Sequence, residues 1–286
     1  MSHTTNINRF SKLTDPRFCV IAPIEYLDIY AVYSTTHLVL AHLVDTNEVY
    51  CNFYKTRSEL GDTIIMDCSA FELGESYHPH KLVELGQKCG AHAIVLPDYP
   101  FQHSSKTIDA AMIWAKEIKQ AGFATMFVPQ SEQGDMTDWI NCYNWAKENS
   151  DIDIIGMSIL GIPNAWCHIP KMYARVVATE YLKSTGQFAD NKYHHYLGLN
   201  SSPNVEVPSL LIMKALDSCD SSNPVWTGIN GLQYNLIQDS YLPIAKKYLR
   251  EVNFNEKMTS KQHIHTCIRH NLDITLDIFK NPTSYL

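Results

Sequence analysis

The sequence predicts an α/β protein that closes into a single-domain (β/α)8 TIM barrel. Three observations lead there. Short apolar runs rich in β-branched residues alternate with longer helix-like stretches, which implies a parallel sheet with crossover helices. No Gly/Ser-rich linker, low-complexity tract or composition shift divides the chain. No Gly-rich phosphate loop follows an early strand, as an open dinucleotide-binding sheet would show. The 286 residues, 45% of them hydrophobic, suit a fold that needs about 250.

In chain order, residues 1–16 read as a polar N-terminal segment and 17–286 as the barrel. Strands are expected at Cys19–Ile24, His37–Val44, Thr63–Cys68, Ala93–Leu96, Ala124–Val128, Ile152–Ser158, His195–Leu199 and Lys214–Ser218. Helices are expected at Thr107–Ala121, which opens on a Thr cap and ends near Gly122, and at Met136–Asn149. A third, Pro170–Lys183, opens with a proline suited to a helix N-terminus, and Pro208–Leu216 joins the last two strands.

A net charge of −7 and a pI of about 6.0 argue against a non-specific nucleic-acid coat protein. A local basic patch stays open. Lys171, Arg175, Lys246, Lys247 and Arg250 are either contacts to a polymer backbone or solvated helix faces. Eight scattered cysteines with no CxxC pair suggest reduced thiols and a cytoplasmic setting. The polar N-terminus lacks the apolar core of a signal peptide, and no apolar run approaches a membrane span.

In such a barrel the chemistry sits at the C-terminal ends of the strands. Polar residues recur there. Asp67 stands in Asp67-Cys68-Ser69-Ala70-Phe71-Glu72, Asp98 in Asp98-Tyr99-Pro100 and Gln130 in Val128-Pro129-Gln130-Ser131. Gly156-Met157-Ser158, Tyr196-Leu197-Gly198-Leu199-Asn200 and Asp220-Ser221-Ser222-Asn223-Pro224 follow. Each aspartate alone reads as an N-cap or turn former. Their joint order carries the functional reading.

In that order the set resembles the queuine/archaeosine tRNA-guanine transglycosylase family, whose motifs are DSGGFQ-like, VQG-like, GGL, YLMGVG and DxxxP, with a His-Asn helix matched by Arg269-His270-Asn271-Leu272. The chain departs at Ala70, Glu72 and Met157, and it lacks the CxCxxC zinc subdomain. It looks most like the branch that inserts 7-deazaguanines into DNA in phages and bacterial DNA-modification systems. The resemblance implies a pentosyltransferase that replaces guanine in DNA through a covalent Asp-deoxyribosyl intermediate. Asp220 would be the nucleophile and Asp67 the general acid/base. Asp98 and Gln130 would read the base edge beside Gly156, Met157, Ser158 and Gly198, with Phe71 and Leu197 on its faces and the nucleotide flipped out of its stack. Nearby backbone N–H groups or hydroxyls such as Ser221 and Ser222 would keep the Asp220 carboxylate ionised.

The implied partners are DNA, or alternatively tRNA, and a 7-deazaguanine base such as preQ0. No membrane is involved, a homodimer stays open, and the location would be a host cytoplasm if the chain is phage-encoded. No cofactor is expected. Zinc at His263, His265, Cys267 and His270 is the alternative, although on a helix these do not share one face. Two further alternatives are a catalytically silent nucleic-acid-binding partner subunit and a barrel glycosidase.

Overall fold

The computed structural model describes residues 8–11, 15–199, 203–204, 206–234 and 252–286. Eight strands follow one another: β1 (Arg17–Val20), β2 (Thr36–Leu40), β3 (Thr63–Asp67), β4 (Ala93–Val95), β5 (Ala124–Phe127), β6 (Ile154–Gly156), β7 (Tyr193–Tyr196) and β8 (Ser218–Ser221). All paired neighbours are parallel, in the order β1-β8-β7-β6-β5-β4-β3-β2. The remaining seam, between β1 and β2, is bridged by side chains. The Ser34 hydroxyl donates to the Phe18 carbonyl and accepts from the Val20 N–H at 3.2 Å, and Arg17 Nη1 donates to Thr36 Oγ1 at 3.2 Å. The result is the nearly closed (β/α)8 barrel that the alternating pattern implied.

The described helices are α1 (Leu27–Tyr30), α2 (Ala41–Thr46), α3 (Glu48–Glu59), α4 (Ala70–Leu73), α5 (Pro79–Cys89) and α6 (Ser104–Gln120). They continue as α7 (Met136–Glu148), α8 (Gly161–Ala165), α9 (Lys171–Ser184), α10 (Val207–Ile212), α11 (Asn223–Ile229) and α12 (Gln262–Lys280). None of them is long and apolar enough to cross a membrane. Strand interiors such as Ile64, Ile65, Ile94 and Ile155 are fully buried, as both faces of a helix-wrapped parallel sheet require.

Several boundaries depart from the sequence expectation, among them the first strand, which is Arg17–Val20 rather than Cys19–Ile24, and three bear on the site. The second strand stops at Leu40, where the Tyr50 hydroxyl takes the Leu40 N–H and Ser69 Oγ takes that of His42, so 41–46 turns into α2. An unbroken apolar run does not distinguish strand from buried helix. The seventh strand is Tyr193–Tyr196 and gives way to Gly198, whose φ of +69° belongs to the left-handed region that favours glycine. The eighth lies later than expected, so Asp220 is within the strand rather than in the turn beyond it.

Helix α12 clamps the segment that follows β8. Asn271 Nδ2 donates to the carbonyls of Pro224 and Leu232, and its Oδ1 accepts from the Tyr234 N–H at 2.7 Å. Gly228 makes the close approach possible, because a Cβ there would lie 2.6 Å from the backbone N and Cα of Ile268. Gly228→Ala is therefore expected to cost at least about 1–3 kcal/mol by overpacking. The urea midpoint would fall while the slope is kept, and an unchanged midpoint would mean that the helices separate freely.

Candidate active site

The C-terminal ends of the strands open into a cavity of about 910 Å³. Its polar lining comes from successive strand ends. Asp67 closes β3, Asp98 follows β4, Gln130 follows β5, Ser158 follows β6, Leu197 and Gly198 follow β7, and Asp220 stands on β8. Glu72 of α4 joins them at the rim, and Val252 and Phe254 line the mouth from the chain that precedes α12.

Asp220 is the best-anchored carboxylate. Its Oδ1 accepts from His195 Nε2 at 3.1 Å and from the Gly198 N–H at 3.0 Å. Of the donors expected there, a backbone N–H, that of Gly198, bonds Asp220, while Ser221 Oγ accepts from the Asn223 N–H at 2.9 Å. The sequence alone marks His195 only as the start of a strand. Its role becomes visible once β7 and β8 are in register, with His195 beside Ser218.

Asp98 and Gln130 form a second unit. Gln130 Nε2 donates to Asp98 Oδ2 at 2.6 Å, and the Cys68 thiol reaches Oδ1 at 3.6 Å. Burial pushes the Asp98 carboxyl up to about 6 against the opposing pull of those two donors. Asp67 is raised well above the usual carboxylate range. Burial is the main cause, the Glu72, Asp98 and Asp220 charges add to it, and the Ser69 N–H, donated at 2.8 Å, works against it. Partial desolvation and then the Asp220 charge also raise Glu72, although much of its surface faces solvent. Each charge at the mouth disfavours ionisation of its neighbours, which adds to the upward shifts of Asp67 and Glu72.

The other sequence-selected residues fall in different places. Met157 is fully buried, and its N–H donates to the His195 carbonyl at 2.7 Å. Gly156 is a packing glycine: a Cβ there would lie 2.8 Å from Val128 Cγ2 and 3.1 Å from Leu197 Cδ1. Ser158 Oγ accepts the N–H groups of Leu160 and Gly161 and so opens α8. Phe71 belongs to α4, and Asn200 lies outside the described residues.

The four ligand-type residues of α12 diverge. His265 Nδ1 meets the Tyr30 hydroxyl at 2.6 Å, its Nε2 meets the Thr259 carbonyl, and His270 Nε2 meets the Tyr234 carbonyl. Cys267 is buried and His263 exposed. Among the described residues no group of three or more His, Cys, Asp or Glu side chains is placed to hold a metal ion.

No family model matches the chain, and no curated protein matches it. Solved structures do. A dihydrodipicolinate synthase from Agrobacterium tumefaciens is similar over 94% of this chain and 99% of its own, at 12% identity and a TM-score of 0.49. An N-acetylneuraminate lyase from Fusobacterium nucleatum is similar over 93% and 84%, at 12% identity and a TM-score of 0.44. CdNal from Clostridium difficile, solved with mannosamine, is similar over 90% and 99%, at 10% identity and a TM-score of 0.48.

These findings correct the transglycosylase resemblance. The similar structures carry synthase and lyase names, and no model of the transglycosylase family matches. The guanine-exchange reading in DNA falls with it, as do the tRNA alternative, the silent nucleic-acid-binding subunit, the pentosyltransferase class and the 7-deazaguanine partner. The cavity gives a physical reason for the loss of a polymer partner. Its described lining holds four carboxylates and no lysine or arginine to meet phosphates. Arg175, one of the residues offered for that contact, is wholly buried beneath the strand ends, and Lys171 opens α9. Lys246, Lys247 and Arg250 lie outside the described residues.

Proposed function

We propose that the chain is a barrel enzyme that cleaves a carbon–heteroatom bond in a small neutral or cationic polar molecule by acid–base catalysis. One observation carries the reading. Two carboxyl groups share a mouth but have opposite surroundings. Asp67 is half-buried among like charges, and its carboxyl is raised well above the usual range, first by desolvation and then by those charges, whereas Asp220 has Oδ1 tied by two N–H donors and, among the described residues, no donor on Oδ2. Asp67 then protonates the departing oxygen or nitrogen. Asp220 removes a proton from the substrate or attacks the carbon that the leaving group vacates. Asp98 and Gln130 hold the polar edge of the substrate, and Leu197 with Val128 lines the apolar wall.

Schiff-base chemistry, which needs an amine nucleophile, is not supported by the described lining. Lys192, on the approach to β7, donates to the Asn149 and Ile152 carbonyls at the opposite end of the barrel. Eight free cysteines, seven of them buried, support a reducing compartment for the protein.

The test is a panel of amino sugars, polyamines, polyols and their phosphorylated counterparts, scored for binding and turnover. Neutral or cationic members are expected to be consumed, and Asp67→Asn and Asp220→Asn each to abolish turnover with the fold intact. Preference for the phosphorylated members, or full turnover in Asp220→Asn, would refute the assignment.

A further inference from the structure

Beneath Asp220 runs a column of buried polar side chains. Tyr193 and His195 on β7 and Ser218 and Asp220 on β8 alternate by two residues, so all four point into the barrel. His195 Nδ1 lies 2.6 Å from Ser218 Oγ, and Tyr193 stands next below on the same face of β7. Phe10 packs edge-on against the Tyr193 ring, 5.5 Å between centroids, below the column. His195, Ser218 and Tyr193 are essentially solvent-free, and none of them reaches the cavity.

We propose that His195 is a positioning residue for Asp220, a neutral Nε2–H imidazole whose tautomer is set from below by Ser218. The inference rests on the role given to Asp220 above. The donor order follows from the carboxylate end. A carboxylate has only acceptors, so His195 Nε2 must donate to it. In the neutral ring Nδ1 is then an acceptor, which requires the Ser218 hydroxyl to donate upward. The Ser218 O–H and the His195 N–H thus both point toward the mouth. With His195 and the Gly198 N–H both on Oδ1, rotation of the carboxylate is restrained, and the syn and anti lone pairs of Oδ2 keep fixed directions toward a ligand. A fixed acceptor is what a base or nucleophile needs for a defined angle of approach.

Nitrogen NMR on histidine-labelled, substrate-free protein decides the point, with the His195 signals identified by their absence in His195→Gln. The expected result is a protonated Nε2 and a bare Nδ1 at neutral pH, with the preference blurred in Ser218→Ala. A protonated Nδ1, whether in the other tautomer or in an imidazolium, overturns the proposal whatever becomes of the reaction class. Where a substrate from the panel is turned over, His195→Phe should lower kcat by about 10- to 100-fold with little change in KM. His195→Gln, which can return one N–H to Asp220, should recover part of that loss. Equal kcat in all three proteins refutes the positioning role while leaving the acid–base reading of Asp67 and Asp220 standing.

Discussion

Arg175→Met is expected to destabilise the protein by about 3–5 kcal/mol, the range for removing one partner of a buried ion pair. Arg175 has no exposed surface. Its Nε and Nη2 hold the Glu206 carboxylate, its Nη1 donates to the Met157 and Leu197 carbonyls at 3.0 and 2.9 Å, and Nη2 also reaches the Gly198 carbonyl at 2.7 Å. Methionine fills part of the volume but removes the guanidinium that neutralises the buried Glu206 and takes one donor from each of three carbonyls, of which Met157 and Leu197 keep the Leu197 and Ile159 N–H groups. The Arg175→Met/Glu206→Leu double variant removes both charges and should recover much of the loss, because an apolar replacement of a whole buried pair is often close to neutral. Urea unfolding of the two single variants, the double variant and the parent forms the cycle. A loss below about 1 kcal/mol in the first variant would place the pair among weak surface bridges. The cost also bears on the site, since Gly198 presents its carbonyl to Arg175 and its N–H to Asp220. Loosening one loosens the other.

Arg175 also marks the limit of what could be read from the linear chain. Strand–helix alternation depends on local periodicity, so all eight strands and the barrel were accessible from it. Asp67, Asp98, Gln130, Leu197, Gly198 and Asp220 were accessible as strand-end residues, because a parallel barrel brings the same end of every strand together. What each polar side chain faces was not accessible. A helix arginine at position 175 looks the same on paper whether it meets solvent or lies under two strand ends. His195 carries no motif, and its tie to Asp220 exists only through the β7–β8 register. Cys267 and His265 are two apart on a helix and face different neighbours, so compactness in sequence did not become a shared site. The family resemblance failed for a related reason. Short matches of Asp, Gly and Pro at strand ends arise from the turn and capping needs of barrels in general.

Asp98→Asn should raise stability at neutral pH and flatten its dependence on pH. In the folded chain burial lifts the Asp98 carboxyl from an ordinary 3.8 to about 6. The unfolded chain therefore releases this proton first. Between roughly pH 4 and 6 the folded state binds more protons than the unfolded state, so stability falls as pH rises through that window. Two pH units correspond to about 3 kcal/mol, fully present as a penalty above pH 6 and absent below pH 4. Asparagine is nearly isosteric, keeps an acceptor for Gln130 Nε2, and carries no charge to desolvate. It also removes one of the charges that raise Asp67, so part of the Asp67 penalty should fall with it. Urea unfolding at pH 4, 5, 6 and 7 is the measurement. The variant and the parent should nearly coincide at pH 4 and separate progressively to pH 7, with the variant more stable. Parallel curves, or a variant less stable at pH 7, would mean that Asp98 is already ionised and well solvated at the mouth. In that case only Asp67 and Glu72 would remain to hold the retained proton that the acid–base reading requires.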